Sequence, residues 1–402
     1  MISVATAIEI VKQQTRVLPS EDVALADALR RFLAEDVIAD SDLPPFDRSQ
    51  MDGYAVIASN TESAPVRLRI AGESSAGRGW HGQIKGGEAV RIMTGAPVPS
   101  GADSVQQVEL TRDIDSDVVE IQQPVKTGRS IVRKGAEIGV GTTVLQAGEQ
   151  INPAMIATLA SFGYAQIRVG RQPRVAVLAT GSELVSVDSK PGQDQIRDSN
   201  NYSIGAYAEQ AGAIVERLPL AGDEIGLLKS QVAAAAERSD VVITSGGVSM
   251  GVYDFTKAAL EELGSEIFFE RVSLRPGKPT VFARLPSGAL VFGLPGNPVS
   301  ASVTFNLFAR MSLWAMQGAT APGLTEEWAV LTRSARGSED RETYLPARLI
   351  TDNQGHLLAE PLKWGGSSDF VAFTHATALV IVPQGVRELK KDEIARVVRL
   401  PS

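Results

Sequence analysis

Arg174–Val–Ala–Val–Leu–Ala179, Asp240–Val–Val–Ile–Thr244 and Ala289–Leu–Val–Phe292 are three short apolar runs, each ending in a loop of small residues. The loops are Thr180–Gly181–Ser182–Glu183–Leu184, Ser245–Gly246–Gly247–Val248–Ser249–Met250–Gly251 and Gly293–Leu294–Pro295–Gly296–Asn297–Pro298. Runs of this length and composition read as buried strands. Between and after them lie helical patterns over Ser203–Ala211, Ile225–Arg238, Phe255–Leu263 and Val299–Met316, with further strands near Ile214, Ile267 and Thr280–Ala283. Strands alternating with helices predict a doubly wound parallel sheet. Ligands of such sheets bind beyond the carboxyl ends of the strands, which is where the three loops fall.

Glycine and serine at those ends let backbone N–H groups approach an anion closely. One such loop is adequately read as a tight turn; three on one sheet edge point to a phosphate-bearing ligand. Arg275–Pro276–Gly277–Lys278–Pro279 adds two cations around a turn, able to pin an oxyanion or to be a solvated hairpin. Glu183, Asp223 and Asp254 place carboxylates on the same rim. Singly each reads as a cap or a surface charge; together, beside anion-binding loops, they predict a Mg²⁺ site.

The sequence outside this block divides by pattern. Ala5, Ile8, Val11 and Val17 have helix-like spacing, and Asp22–Asp36 reads as a second helix with Ser20 as N-cap. Short β-rich runs at Tyr54–Ile57, Val66–Ala71, Ala89–Met93 and Val118–Gln122 follow. A brief helix at Pro153–Phe162 comes next, and after Leu324 alternating runs such as Trp328–Thr332 and Ala378–Val382. The expected organisation is a discontinuous helical and linker domain (1–51 and 142–171), a β-rich insertion domain (52–141), the α/β domain (172–321) and a C-terminal β-domain (322–402). The fold class is thus multidomain α/β plus β.

Composition excludes several chemistries. The 402 residues contain no cysteine, which removes disulfides, thiolate metal sites and a cysteine nucleophile. His81, His356 and His375 are far apart and lack ligand spacing, so a bound metal is expected to be a hard cation held by oxygen. The net charge is −8, and no basic stripe suits nucleic acid. No apolar run approaches a membrane span, and no basic stretch precedes an apolar segment at the N-terminus, so a cytoplasmic address is expected. Gly77–Arg78–Gly79–Trp80–His81–Gly82 fits the dinucleotide glycine pattern, but it follows no buried strand and opens no helix. No Walker-type phosphate loop is present.

Six stretches together carry a resemblance. They are Pro44–Pro–Phe–Asp–Arg–Ser–Gln–Met–Asp–Gly–Tyr–Ala–Val56, Arg91–Ile–Met–Thr–Gly–Ala–Pro–Val–Pro–Ser–Gly–Ala–Asp103, Lys190 through Asn200 ending in Ile–Arg–Asp–Ser–Asn, Ser245–Gly–Gly–Val–Ser–Met–Gly251, Arg275–Pro–Gly–Lys–Pro279 and Leu294–Pro–Gly–Asn–Pro–Val–Ser300. In this order they resemble the molybdopterin molybdenumtransferase family, which includes bacterial MoeA and the gephyrin E domain. The resemblance runs along essentially the whole chain. It implies four domains, an elongated homodimer, and an α/β domain similar to the molybdopterin adenylyltransferase that acts one step earlier. It implies that adenylylated molybdopterin and molybdate are consumed with magnesium, that AMP is released, and that molybdenum stays on the dithiolene.

Carried over by position, the resemblance implies catalytic roles for Asp52, Thr94, Glu183, Asp223 and Asp254, the last three also holding Mg²⁺. Asp52 and Thr94 would serve the α/β domain of the other subunit. Ser245, Gly246, Gly247, Ser249, Pro295, Gly296, Asn297 and Pro298 would bind the pterin nucleotide. Arg275, Lys278, Ser300, Arg341, Arg348, Ser367 and Ser368 would bind near the oxyanion, a tetrahedral dianion suited to charge-assisted hydrogen bonds. Three departures stand out: Glu137 where the family has Asp, Arg275 where it usually has Lys, and Ala376–Thr377–Ala378 where it has a glycine-bearing turn. Alternatives are a tungstate-inserting paralogue, an adenylyltransferase, and a non-catalytic pterin-binding scaffold. Adenylyltransferase and cofactor-free molybdoenzymes are the expected protein partners.

Overall fold

The computed structural model describes residues 1–221, 224–247 and 255–401. By compactness the chain forms two units: one of residues 1–35, 147–156 and 166–402, the other of residues 36–146 and 157–165. The helix Pro153–Ser161 contributes residues to both.

The centre of the first unit is a six-stranded sheet. Its order is Ile214–Arg217, Arg174–Ala179, Val241–Ser245, Leu290–Leu294, Val281–Arg284, Glu266–Phe269. Val175 and Val177 point to one face with Ile243 and Phe292, against Ile204, Ala208 and Val299. Ala176 and Leu178 point to the other with Val242 and Val291, against Leu228, Val232 and Leu260. Strands covered on both faces must be apolar at every position, which is why these runs do not alternate. The first four strands and the last, Glu266–Phe269, run the same way, but Val281–Arg284 runs against both of its neighbours, a departure from the fully parallel sheet expected. Only the turn closed by the Leu285 N–H on the Ala289 carbonyl joins Val281–Arg284 to Leu290–Leu294. A link that short permits a hairpin and no parallel crossover.

The helix Val4–Gln14, capped by Ser3, buries Val4, Ala7 and Val11 in the same core. The second N-terminal helix, expected over Asp22–Asp36, is absent. Ser20–Ala24 is a strand paired antiparallel with Gln166–Gly170, followed by a single 3-10 turn at Leu25–Asp27. Its backbone partners lie more than a hundred residues away, so local periodicity could not reveal them. Arg30, at φ 66°, then takes a left-handed conformation incompatible with helix. Ser20 therefore caps nothing.

From the third loop a helical run extends over Pro298–Thr304, passes through a π turn at Phe305–Ala309 and continues as Arg310–Met316. Beyond it, Glu342–Thr351, Leu357–Pro361, Glu326–Leu331, Ile394–Arg399 and Ala378–Val382 pair in that order, and the last pairs back to the first, closing a small barrel. Leu274–Arg275 adds to this barrel through Leu274 opposite Glu342 and Arg275 opposite Thr343. The Arg275–Lys278 turn is thereby fixed between the α/β sheet and the barrel.

The second unit is built on a six-stranded sheet ordered Ser104–Gln107, Gly53–Val56, Glu88–Ile92, Val66–Ser74, Val118–Ile121, Thr111–Asp113. Gly53 sits where strands approach so closely that a Cβ would lie 2.0 Å from the Gln106 carbonyl oxygen. Only glycine fits there, and the carboxylate of the preceding Asp52 is left at the strand's exposed start.

Candidate functional site

The carboxyl ends of Arg174–Ala179, Val241–Ser245 and Leu290–Leu294 open into a cleft of about 880 Å³. All three predicted loops line it, contributing Thr180, Gly181 and Glu183, then Ser245, Gly246 and Gly247, then Pro295, Gly296, Asn297 and Pro298. Gly246 and Gly247 are consecutive left-handed residues, φ 92° and 64°. A Cβ on Gly246 would lie 2.3 Å from the Thr180 carbonyl oxygen, so the first two loops pack at a distance only glycine allows. The Gly246 N–H donates to the Leu294 carbonyl at 3.1 Å, which links the second loop to the third.

Two residues that sequence reasoning did not single out stand at the floor of the cleft. Asn200 is buried and donates through Nδ2 to the Ser245 hydroxyl and to the Gly296 carbonyl, each at 2.7 Å. Asp198 is buried and accepts from the Asn201 N–H at 3.0 Å. Burial pushes its carboxyl above the usual carboxylate range, against hydrogen bonds from Asn201 and Asn200 that pull it down. Both lie within the Ile196–Arg–Asp–Ser–Asn200 stretch that carried part of the resemblance. Residue-by-residue signals for them were absent, because a carboxylate and an amide opening a helix read as ordinary caps.

A smaller cavity of about 400 Å³ shares Pro279, Pro295 and Asn297 with the cleft. Arg275, Lys278, Ser300, Arg341 and Ser367 line it. Asn297 Nδ2 donates to the Ser367 hydroxyl at 2.9 Å, and the Ser367 carbonyl accepts from the Val299 N–H at 3.0 Å, so the barrel loop is tied to the start of the helix. Arg341 pairs with Asp340 at 3.1 Å. Neither Lys278 nor Arg275 has a carboxylate within ion-pair distance among the described residues, although Arg275 reaches the Gly337 carbonyl at 3.5 Å. Two cations without a carboxylate partner among the described residues, set beside hydroxyls, are chemically able to hold a small oxyanion. Ser368 lines the main cleft instead. Arg348 stands apart: it is exposed on the barrel strand Glu342–Thr351, seven positions beyond Arg341, and lines neither cavity.

Glu183 is exposed on the rim of the cleft. Asp223, Asp254 and Ser249 lie outside the described residues. Among the described residues no group of three acidic or histidine side chains is placed to hold a metal ion. The side chains that line the cleft offer hydroxyls, amides, the carboxylates of Glu183 and Asp198 and the guanidinium of Arg197, and His81, His356 and His375 line neither cavity.

In the second unit, Thr94 donates to Asp52 Oδ1 through its N–H at 2.6 Å and its hydroxyl at 2.7 Å. These bonds, the backbone one foremost, hold the Asp52 carboxyl below the usual range. The pair is solvent-facing, and Met51 and Val108, exposed apolar residues, adjoin it; the Val108 N–H donates to the Asp52 carbonyl at 2.9 Å. Glu137 is ion-paired with Arg48 at 2.7 Å.

Three family models match in succession: the MoeA N-terminal region (domain I and II) over residues 2–163, a probable molybdopterin binding domain over 176–314, and the MoeA C-terminal region (domain IV) over 329–400. The molybdopterin molybdenumtransferase of Bacillus subtilis is 36% identical over 387 residues, covering 94% of this chain and 89% of its own. That of Haemophilus influenzae is 35% identical over 373 residues, covering 91% and 90%. Among solved structures, a molybdopterin biosynthesis MoeA protein of Pyrococcus horikoshii superposes over the full length of both chains with a TM-score of 0.84 and 31% identity.

Proposed function

Since the chain belongs to the MoeA family of molybdopterin molybdenumtransferases and acts in molybdenum cofactor biosynthesis, we propose that it inserts molybdate into adenylylated molybdopterin and releases AMP. The observation that carries this reading is the joining of two cavities at Pro279, Pro295 and Asn297: a large cleft walled by glycine loops, and a small pocket lined by Arg275, Lys278 and Arg341.

The residues have separable tasks. Gly246, Gly247 and Gly296 let backbone approach the pyrophosphate link, while Ser245, Asn297 and Pro298 shape the wall around it. Lys278 and Arg275, with Ser300, Arg341 and Ser367, hold the molybdate dianion by charge-assisted hydrogen bonds. Ser368 serves the cleft side, which it lines; Arg348 would need to act from the barrel's outer surface. Holding the two substrates in adjoining cavities supplies most of what this chemistry requires, because breaking a phosphoanhydride depends on positioning and charge neutralisation more than on a strong base.

A cleft lined by carboxylate, hydroxyl and amide oxygens and by no histidine, in a chain without cysteine, suits a hard cation. Glu183, with Asp223 and Asp254, would hold Mg²⁺, which when bound neutralises phosphate charge. The anionic Asp52, fixed by Thr94, is assigned to the cleft of a second copy in a homodimer; the exposed Met51 and Val108 beside it support a partner covering that surface. A cytoplasmic location, donation from an adenylyltransferase and delivery to cofactor-free molybdoenzymes belong to the same reading.

The test is reconstitution. Purified chain, adenylylated molybdopterin, Mg²⁺ and molybdate should together activate a cofactor-free molybdoenzyme. A chain that binds the pterin nucleotide tightly yet yields no activation is a scaffold, and activation by tungstate alone identifies the other oxyanion.

A further inference from the structure

We propose that Asn200 is a positioning residue that sets two substrate-facing loops at once by spending both amide hydrogens of Nδ2 between them. One goes to the Ser245 hydroxyl and one to the Gly296 carbonyl, each at 2.7 Å. The inference rests on reading this cleft as the pterin-nucleotide site.

The geometry fixes the amide's orientation. The Gly296 carbonyl can only accept, so the atom facing it is nitrogen. Ser245 in turn turns its hydroxyl hydrogen toward the Pro295 carbonyl at 3.4 Å, leaving its lone pair for Asn200. The result is a continuous chain from the helix Asn200–Gln210 through the end of Val241–Ser245 to the loop after Leu290–Leu294. Few side chains can do this. Serine offers one donor, aspartate offers none, and glutamine would carry the nitrogen past both acceptors. Asn200 itself is 8% exposed, and its Oδ1 is sealed from solvent with no hydrogen-bond partner among the described residues. An unsatisfied buried acceptor is costly, so the residue is not there for local stability alone. Its contribution is the relative placement of Gly246–Gly247 and Gly296–Asn297, the two backbones that flank the ligand.

The experiment uses full-length chain carrying Asn200→Ala, Ser245→Ala or both, and reads hydrogen exchange and steady-state kinetics. Asn200→Ala should raise exchange at 246–247 and 296–297 together, by about tenfold or more. Exchange within Arg174–Ala179 should stay as in wild type, which shows that the variant is folded. The kcat/KM for the pterin nucleotide should fall about 10- to 100-fold. The losses from the two substitutions should fall short of adding in the double variant, because they cut one chain of bonds. If Asn200→Ala does not fold, Asn200→Asp replaces it: the shape is kept and the double donor becomes an acceptor facing two oxygens. Exchange that rises in one loop only, or losses that add, overturns the bridge. Exchange requires no turnover, so a wild-type chain lacking molybdate-dependent activity would refute the function while the exchange data still decide the bridge.

Discussion

Thr94 gives both of its donors, backbone N–H and hydroxyl, to the same carboxylate oxygen of Asp52, at 2.6 and 2.7 Å. That oxygen is fixed while the other remains available to a ligand. A carboxylate so held stays anionic and points one way, which is what a group acting on a phosphoryl or oxyanion substrate needs.

Asp52→Ala is expected to lower turnover by about 100-fold or more while leaving the fold intact, because the side chain is exposed and serves no core. Kinetics with a thermal melt of the same preparation check this. Wild-type turnover would remove Asp52 from the reaction.

Thr94→Val should move the acid limb of the pH profile. The Asp52 pKa is lowered first by the Thr94 N–H and second by its hydroxyl. The variant keeps the first and loses the second, so the pKa rises part of the way back. If ionised Asp52 is required, kcat/KM then begins to fall at a higher pH than in wild type. An unmoved limb would show that its ionisation does not control the rate.

Lys278→Ala should raise the molybdate concentration needed for half-maximal rate by about 10- to 100-fold, with little effect on the pterin nucleotide. The reason is location: Lys278 lines the smaller pocket and not the main cleft. Rates measured across molybdate concentrations decide it. An unchanged dependence contradicts the assignment of that pocket.

Asp198→Asn should alter stability in a pH-dependent way. Burial raises the folded pKa above the ordinary 3.8. Folded protein therefore holds the proton more tightly, and the stability this gives is complete below the ordinary value and lost as pH rises through the folded pKa. The asparagine keeps an acceptor for the Asn201 N–H and does not titrate. Its melting temperature should gain on wild type as pH rises through that window. Parallel curves would mean that Asp198 shifts its surroundings without cost.

How much of this was legible before the structure depended on how local each signal is. The central strands were readable because burial on both faces makes them apolar throughout, and the loops because glycine has few other reasons to recur at strand ends. The helix read over Asp22–Asp36 failed at its start because Ser20–Ala24 is a strand whose partner, Gln166–Gly170, is distant in sequence. The reversed strand Val281–Arg284 carries the same composition as the parallel ones, and the one signal of its direction was the short link from Leu285 to Ala289, which leaves no room for a crossover. Lys278 and Ser300, singled out by charge and motif, line the smaller cavity, whereas Arg348, taken from the looser resemblance of the last domain, lies exposed on the barrel away from both cavities. Asn200 and Asp198 gave no signal of their own, because their importance is relational: it lies in which loops they touch.

The most direct test of the account is AMP release from adenylylated molybdopterin by the purified chain, with Mg²⁺, in the presence and absence of molybdate. Release that requires molybdate, with molybdenum retained on the pterin for each AMP freed, is the predicted result. Release that ignores molybdate, or tight binding with no release where a known molybdopterin molybdenumtransferase turns over, would contradict it.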